Sequence, residues 1–287
     1  MDKFLESMEL ITGTVKGLDA INEDCFLKDS NNRQLIPNRK EVVKVIKDLQ
    51  SLLFPDYFKH SEGSENVLSQ TELLLNIYNR LSEQIKGACE FSNTIMEKTP
   101  DELCNAFIEQ LPEVKKLLIK DIEAIYEGDP AAKCHQEVLI CYPGFYAISI
   151  YRIANVLYRL SVPLIPRIMT EFAHEKTGVD IHAGATIGEY FCIDHGTGIV
   201  IGETTTIGNR VKIYQGVTLG AKSFKLDENG NPVKDIKRHP DIGNNVVIYA
   251  NATILGGDTK IGDNCIIGGN TWLTHSVEEG KVVYYKN

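Results

Sequence analysis

The chain has 287 residues, enough for two domains or one large one, and its 39 acidic against 30 basic side chains give a formal net charge of −9. That balance argues against nucleic acid or an anionic membrane as principal partners. No apolar run approaches the roughly 20 residues that a membrane span requires. The amino terminus, Met1-Asp2-Lys3-Phe4-Leu5-Glu6-Ser7, lacks the basic and apolar regions of a secretion signal. Seven cysteines (Cys25, Cys89, Cys104, Cys134, Cys141, Cys192, Cys265) are odd in number and contain no C-x-x-C pair. They read as reduced thiols of a cytoplasmic protein, mostly small core residues, and nothing in the pattern supports a catalytic cysteine.

In chain order, the first 35 residues are less regular than the rest and read as mobile. A helix over about 39–53 is predicted by Val42, Val43, Ile46, Leu49 and Leu53 on one face. Another over about 67–90 aligns Leu74, Ile77, Leu81 and Ile85. Thr99-Pro100-Asp101-Glu102 is a capping box with proline at the first helical position, so a helix starts there. Pro112 is expected to restart it, and Val114, Leu118, Ile122 and Ile125 carry it to Gly128. A last helix over about 144–160 presents Ile148, Ile153, Val156, Leu157 and Leu160. These stripes read as core and subunit packing. Residues 1–177 therefore form an α-helical domain.

From residue 181 to about 278 the chain repeats every six residues. Aliphatic side chains stand at Ile181, Ile187, Ile193, Ile201, Ile207, Ile213, Leu219, Ile242, Ile248, Ile254, Ile261, Ile267 and Leu273. Glycine often follows directly, and a small or β-branched residue often stands four places on. A period of six is neither helical nor simple strand alternation. It marks a parallel β-helix with three short sides per coil, each aliphatic residue pointing into the prism. These thirteen hexads make a little over four coils, and the β-helix domain runs over 178–287. A prism end needs a cap, which the helical part is placed to supply.

The breaks in phase point to a site. Two extra residues intrude within Asp194-His195-Gly196-Thr197-Gly198. A long polar segment, the loop 222–240, separates Leu219 from Ile242 and ends Lys237-Arg238-His239-Pro240. It is expected to leave the prism at one corner, with the next side resuming in sequence, and extruded loops on rigid scaffolds tend to carry binding and catalytic groups. One further residue between Ile254 and Ile261 reads as a local bulge. His195 stands at a corner beside Asp194, and Asp180 lies fifteen residues earlier, somewhat under one coil. A carboxylate there could fix the imidazole tautomer and leave the other nitrogen as a base. Arg238 and His239 supply donors suited to a carboxylate.

These residues resemble the serine O-acetyltransferases, within the hexapeptide-repeat acyltransferases. The resemblance runs from about residue 117 to 270 and is carried by Asp129-Pro130-Ala131 and the segment before it, Tyr151-Arg152-Ile153-Ala154, Val179-Asp180-Ile181-His182, Asp194-His195-Gly196-Thr197-Gly198, Gly202-Glu203-Thr204, Gly216-Val217-Thr218-Leu219-Gly220 and Arg238-His239-Pro240. It implies that the β-helix is left-handed and that acetyl passes from acetyl-CoA, a co-substrate, to the L-serine hydroxyl, giving O-acetylserine and CoA as the first step of cysteine biosynthesis from serine. His195 matches the general base and Asp180 its partner. Asp129 and Asp194 match the carboxylates holding the serine ammonium, and Arg238 and His239 the groups holding its carboxylate. Gly220, Ala221, Ala250 and Gly269 match residues bordering the CoA arm. No bound cofactor, metal or covalent acetyl-enzyme is implied. The resemblance also implies a homotrimer, or a hexamer made as a dimer of trimers, with active sites between neighbouring prisms.

Two departures stand out. The loop inserts Asp227-Glu228-Asn229-Gly230-Asn231-Pro232, which reads as a turn at its tip. The sequence ends Tyr284-Tyr285-Lys286-Asn287 without the terminal isoleucine that many family members insert into O-acetylserine sulfhydrylase, so a stable complex of that type is not expected. Feedback inhibition by cysteine is left open. Three other readings were weighed: a different hydroxyl acceptor on the same fold, a zinc site of His182, His195 and His239 as in prism-shaped carbonic anhydrases, and a non-catalytic scaffold.

Overall fold

The computed structural model describes residues 2–24, 36–58, 69–92 and 97–284. Seven helices come first: α1 (Asp2–Asp24), α2 (Arg39–Leu53), α3 (Gln70–Ser92), α4 (Pro100–Gly128), α5 (His135–Cys141), α6 (Pro143–Arg159) and α7 (Ile165–Thr177). The capping box at Thr99 and Glu102 is formed in both directions. Pro112 does not restart the helix as expected. It lies inside α4 on the exposed side, where its ring meets water, while Phe107, Leu111, Val114 and Leu118 continue the buried stripe. The amino-terminal segment is also more regular than expected, since α1 is continuous over 23 residues. Its apolar side chains Phe4, Met8, Ile11, Val15 and Leu18 all remain exposed within the chain.

Fourteen short parallel strands then wind a three-sided solenoid. Side one holds β1 (Asp180–Ile181), β4 (Val200–Ile201), β7 (Thr218–Gly220), β10 (Thr253–Leu255) and β13 (Trp272–Leu273). Side two holds β2 (Thr186–Ile187), β5 (Thr206–Ile207), β8 (Asp241–Ile242) and β11 (Lys260–Ile261). Side three holds β3 (Cys192–Asp194), β6 (Lys212–Tyr214), β9 (Val247–Ile248), β12 (Ile266–Ile267) and β14 (Val282–Val283). Sides one and three thus have five strands each, so the winding makes about five turns and exceeds the thirteen hexads by a truncated last coil through Val277 and Val283. All thirteen predicted aliphatic side chains are 8% exposed or less, which makes the prism interior one apolar column. The loop leaves after β7 on side one, and β8 resumes on side two. At its tip Asp227 accepts the N–H groups of Asn229 and Asn231, closing the expected turn. Tyr285, Lys286 and Asn287, on which the expectation about the terminal isoleucine falls, lie outside the described residues, as do residues 25–35 of the first 35 read as mobile.

Each coil of the solenoid hydrogen-bonds to its neighbours along the stack. Asp180, His182, Thr186 and Gly188 of the first coil donate to Ile199, Ile201, Thr205 and Ile207 of the second. The first coil has no preceding coil, so the backbone groups on its outer edge, among them the carbonyls of Ala183, Ala185, Ile187 and Gly188, need other partners, and leaving them unpaired in the interior would be costly. α6 meets that need. Tyr151 donates to the Ala185 carbonyl at 2.6 Å, and Asn155 to the carbonyls of Ala183 at 2.8 Å and Ala185 at 3.1 Å. Arg152 donates to Ile187 and Gly188, both at 2.6 Å. The same guanidinium forks onto Asp121 of α4 through two 2.9 Å bonds, and Asp121 also accepts the Phe191 N–H at 2.9 Å. Asp121 is 0% exposed and Arg152 5%, so every partner in this cluster is desolvated.

Replacing Arg152 would strand a buried carboxylate and two carbonyls. Arg152→Ala is expected to lower unfolding free energy by about 3–5 kcal/mol, the range for breaking a buried pair on one side. Denaturant unfolding of both proteins measures it, and a midpoint matching the parent would show that the cluster does not hold the two parts together.

Candidate functional site at two edges of the prism

The edge between sides three and one carries the first group. After β3 the corner takes five residues, 195–199, where the next coil uses three, 215–217. The extra length is absorbed by left-handed backbone at His195 (φ 58), Gly196 (φ 98) and Gly198 (φ 83). Glycine adopts that region without the steric cost a side chain incurs. The bulge throws His195 outward, with its side chain 73% exposed and Nε2 at 3.7 Å from Asp194. Asp129 reaches the same place from the end of α4, where it is the C-cap. Its carboxylate accepts the Tyr142 hydroxyl at 2.6 Å and the Ala131 N–H at 2.8 Å. Those bonds, the Tyr142 bond foremost, with Lys212 and His195 as nearby positive charge, hold it below the usual carboxylate range. The same bond pushes the Tyr142 phenol up to about 12. Asp180 opens β1 one coil above Val200, and its carboxylate shares a cluster with Glu171 and His174 of α7, with ligand atoms within 4.8 Å of one another. Among the described residues no hydrogen bond or ion pair joins Asp180 to His195.

The edge between sides one and two carries the second group. Thr204 fastens the end of the loop. Its hydroxyl accepts the N–H groups of Arg238 at 3.0 Å and His239 at 3.1 Å, and its carbonyl accepts Lys237 Nζ at 2.6 Å. Arg238 donates to Glu203 at 2.5 Å, and Tyr158 donates to the other Glu203 oxygen at 3.0 Å. His239 Nδ1 accepts the Thr204 N–H at 3.1 Å, which leaves the proton on Nε2. Burial first, and then the charge of Arg238, bring His239 down to about 4, so the ring is a neutral Nε2–H donor at physiological pH. Because the folded value lies below the unfolded one, its contribution to stability is present in the neutral range and is lost as pH falls from about 6.5 to about 4. The ring lies flat on Gly202, where an added Cβ would come 2.1 Å from Cδ2 and 2.2 Å from Nε2.

The residues expected along the donor arm divide in the same way. Gly220 and Ala221 stand at the one–two edge where the loop departs, whereas Ala250 and Gly269 stack on successive coils at the three–one edge. His182 and His239 share the one–two edge, and His195 stands on the other, so the three histidines of the zinc reading do not meet within the chain. Burial drives the Cys192 thiol beside Asp194 up to about 12, leaving it a poor nucleophile. No described cysteine is in a disulfide; Cys104, Cys192 and Cys265 are buried and Cys89 packs against the core, while Cys134 and Cys141 are exposed. Sequence reasoning did not single out Tyr142, Lys212, Glu203, Thr204 or Tyr158. Glu203 and Thr204 stood within a quoted motif, but their binding to Arg238 and His239 follows from a loop that returns 35 residues later. No described helix is long and apolar enough to cross a membrane.

Comparison with known proteins decides what this surface belongs to. Residues 58–149 match the family model "Serine acetyltransferase, N-terminal", and residues 239–275 match "Bacterial transferase hexapeptide (six repeats)". A plasmid-encoded serine acetyltransferase of Synechococcus elongatus is 47% identical over 260 residues, covering 86% of this chain and 81% of the relative. The chain belongs to the serine acetyltransferase family. Serine acetyltransferase 1 of Entamoeba histolytica, solved in complex with L-cysteine, superposes with a TM-score of 0.74 at 35% identity, over 84% of this chain and 86% of that one. A serine acetyltransferase solved in complex with CoA superposes with a TM-score of 0.55 at 25% identity, over 84% and 96%.

Gly202→Ala tests the seating of His239 in this acetyltransferase. The methyl group would displace the ring from Thr204, and the KM for serine is expected to rise tenfold or more while the melting temperature stays close to that of the parent. Steady-state serine titration reads the effect, and an unchanged KM would show that the ring position is immaterial.

Proposed function

We propose that this serine acetyltransferase takes its acetyl group from acetyl-CoA and delivers it to the hydroxyl of L-serine in a cleft between two copies of the chain. The observation that carries the reading is the shared split. Acceptor residues (Asp129, Asp194 and His195 against Arg238 and His239) and donor residues (Ala250 and Gly269 against Gly220 and Ala221) divide between the same two edges. One rotation that sets the three–one edge of one prism against the one–two edge of the next reunites both sets, as in a closed trimer. A hexamer adds a second such trimer.

The chemistry follows from the groups at each edge. A serine hydroxyl is too weak an acid to attack unaided, so His195 takes its proton as the oxygen bonds the thioester carbon. Collapse of the tetrahedral intermediate breaks the C–S bond, and the departing CoA sulfur receives that proton from His195. Asp180 belongs to this reaction as the carboxylate orienting the imidazole. Asp129 and Asp194 take the ammonium. Arg238, whose Nη2 is engaged by Glu203, has Nε and Nη1 available for the substrate carboxylate, and neutral His239 adds its Nε2–H. Opposed clamps of both signs select a zwitterion over a sugar or simple alcohol, which separates this reading from acetylation of another hydroxyl.

CoA thiol release from acetyl-CoA, followed with L-serine, homoserine, threonine, a sugar panel and no acceptor, tests the proposal. Strong dependence on L-serine is expected, with His195→Ala lowering kcat by about 10²–10⁴-fold in an intact oligomer and Asp129→Asn raising the serine KM. Faster turnover with another acceptor would refute the clamp assignment, and release that ignores every acceptor would refute the activity.

A further inference from the structure

Lys212 stands at an outward position of β6, where a hexad normally shows a solvated side chain, yet its side chain is only 17% exposed. Its ammonium donates to the Gly128 carbonyl at 2.6 Å and lies 2.9 Å from Asp194 Oδ2. It also sits 4.5 Å from the centre of the Tyr214 ring, which in turn stacks on Tyr249 at 5.1 Å. Gly128 is the last residue of α4 and directly precedes Asp129, and α4 has no basic residue of its own in its last turn. Lys212 therefore reaches 84 residues back to supply the cation that a helix carboxyl end favours. One ammonium thus touches the helical part, which carries Asp129, and the solenoid corner, which carries Asp194 and His195.

We propose that Lys212 is a positioning residue of the acceptor pocket, holding Asp129 and Asp194 in one cluster beside His195 and setting that cluster's net charge. The inference rests on His195 acting as the base. Two carboxylates alone next to the imidazole would favour its protonated, inactive form and would repel each other until substrate arrived. With Lys212 present the three side chains sum to one negative charge, which one substrate ammonium neutralises. Asp194 keeps Oδ1 toward His195 while Oδ2 is occupied. The other ionisable groups around the cluster are Tyr142 and, beyond it, Glu137 from the helical side, Cys192 on β3 and Tyr214 on β6. Tyr142 and Cys192 are held protonated, so none of these supplies a compensating cation. Burial opposes the charge on Lys212, but its bonds to Tyr214 and Asp194 outweigh that and leave its ammonium favoured.

The test is the pH profile of kcat/KM for serine in the full-length oligomer, for the parent, Lys212→Met and Lys212→Arg. Removing one positive charge at this range favours imidazolium, so the acid limb of Lys212→Met is expected to move up by about one pH unit. Activity should fall by up to about tenfold on the acid limb, the full effect of a one-unit shift, and the gap should narrow toward pH 9, with the KM for acetyl-CoA within about twofold of the parent. Lys212→Arg, which keeps the charge, should restore the parent profile. A Lys212→Met curve that overlays the parent would overturn the inference. So would a loss that is uniform in pH, raises the acetyl-CoA KM and is not recovered by arginine, since that is the mark of a packing defect. A parent enzyme that responds to serine but is insensitive to His195→Ala would overturn the functional reading first, and this inference with it.

Discussion

The buried contact between Arg152, Asp121 and the first coil is the constraint on which the rest depends. The first coil of a solenoid has no preceding coil to pair the backbone groups on its outer edge, and that end cannot be left in water-free contact with apolar helices. Three side chains of α6, the adjacent Tyr151 and Arg152 and, one turn on, Asn155, supply the missing donors. Arg152 brings a charge into the interior with it, and Asp121 neutralises that charge with a bidentate pair. The pairing has a geometric consequence beyond stability. α4 is a rigid helix, so fixing Asp121 against the corner at Gly188 and Phe191 also fixes Asp129 eight residues along. Tyr142, immediately before α6, then holds the Asp129 carboxylate from the other side. The helical part is thus both the cap of the prism and the source of one half of the acceptor pocket.

The two edges use different physical means to hold their groups. At the three–one edge the chain spends extra length, and left-handed backbone at His195 projects the ring from the wall into the space where a neighbour would lie. At the one–two edge the chain returns from a long excursion and is fastened by a single threonine, whose hydroxyl and backbone engage Arg238, His239 and Lys237. The loop tip, closed by its own turn at Asp227, is therefore held separately from the two donors at its base. Burial on Gly202 keeps His239 neutral, so beside the Arg238 guanidinium it adds a neutral donor rather than a second cation.

Much of the architecture was legible because it rests on periodicity. Each of the thirteen aliphatic positions is buried, and the phase breaks at 194–198 and 220–240 mark the two corners where the candidate residues gather. α2, α3, α4 and α6 were foreshadowed by their apolar stripes and by the Thr99 cap. α5 and α7 were not, since one has seven residues and the other begins at Ile165 after Pro163, within a stretch with few apolar repeats. Pro112 misled because a proline's effect depends on which side of the helix it faces, and burial is not written in the local sequence. The same limit hid Lys212 and Tyr142. Both are ordinary residue types, and their roles come from contacts between segments that lie far apart in sequence. The family resemblance supplied residue roles that spacing alone could not, while the distribution of those residues over two edges became visible only in three dimensions.

Under the proposed assembly, that distribution gives a physical reason for a single chain to be inert. The carboxylates assigned to the ammonium and the proposed base lie on one edge, and the donors assigned to the carboxylate lie on another, so on that reading one copy holds only one end of a zwitterion. Holding one charged end at an exposed surface contributes little, because water screens it and leaves the hydroxyl free to point anywhere. Closure of a second copy over the first supplies the opposite charge and excludes solvent in the same step, which strengthens both clamps and limits the hydroxyl to the neighbourhood of His195. On the proposed reading assembly belongs to the catalytic apparatus rather than to stabilising the prism, whose apolar column and helical cap are formed within one chain.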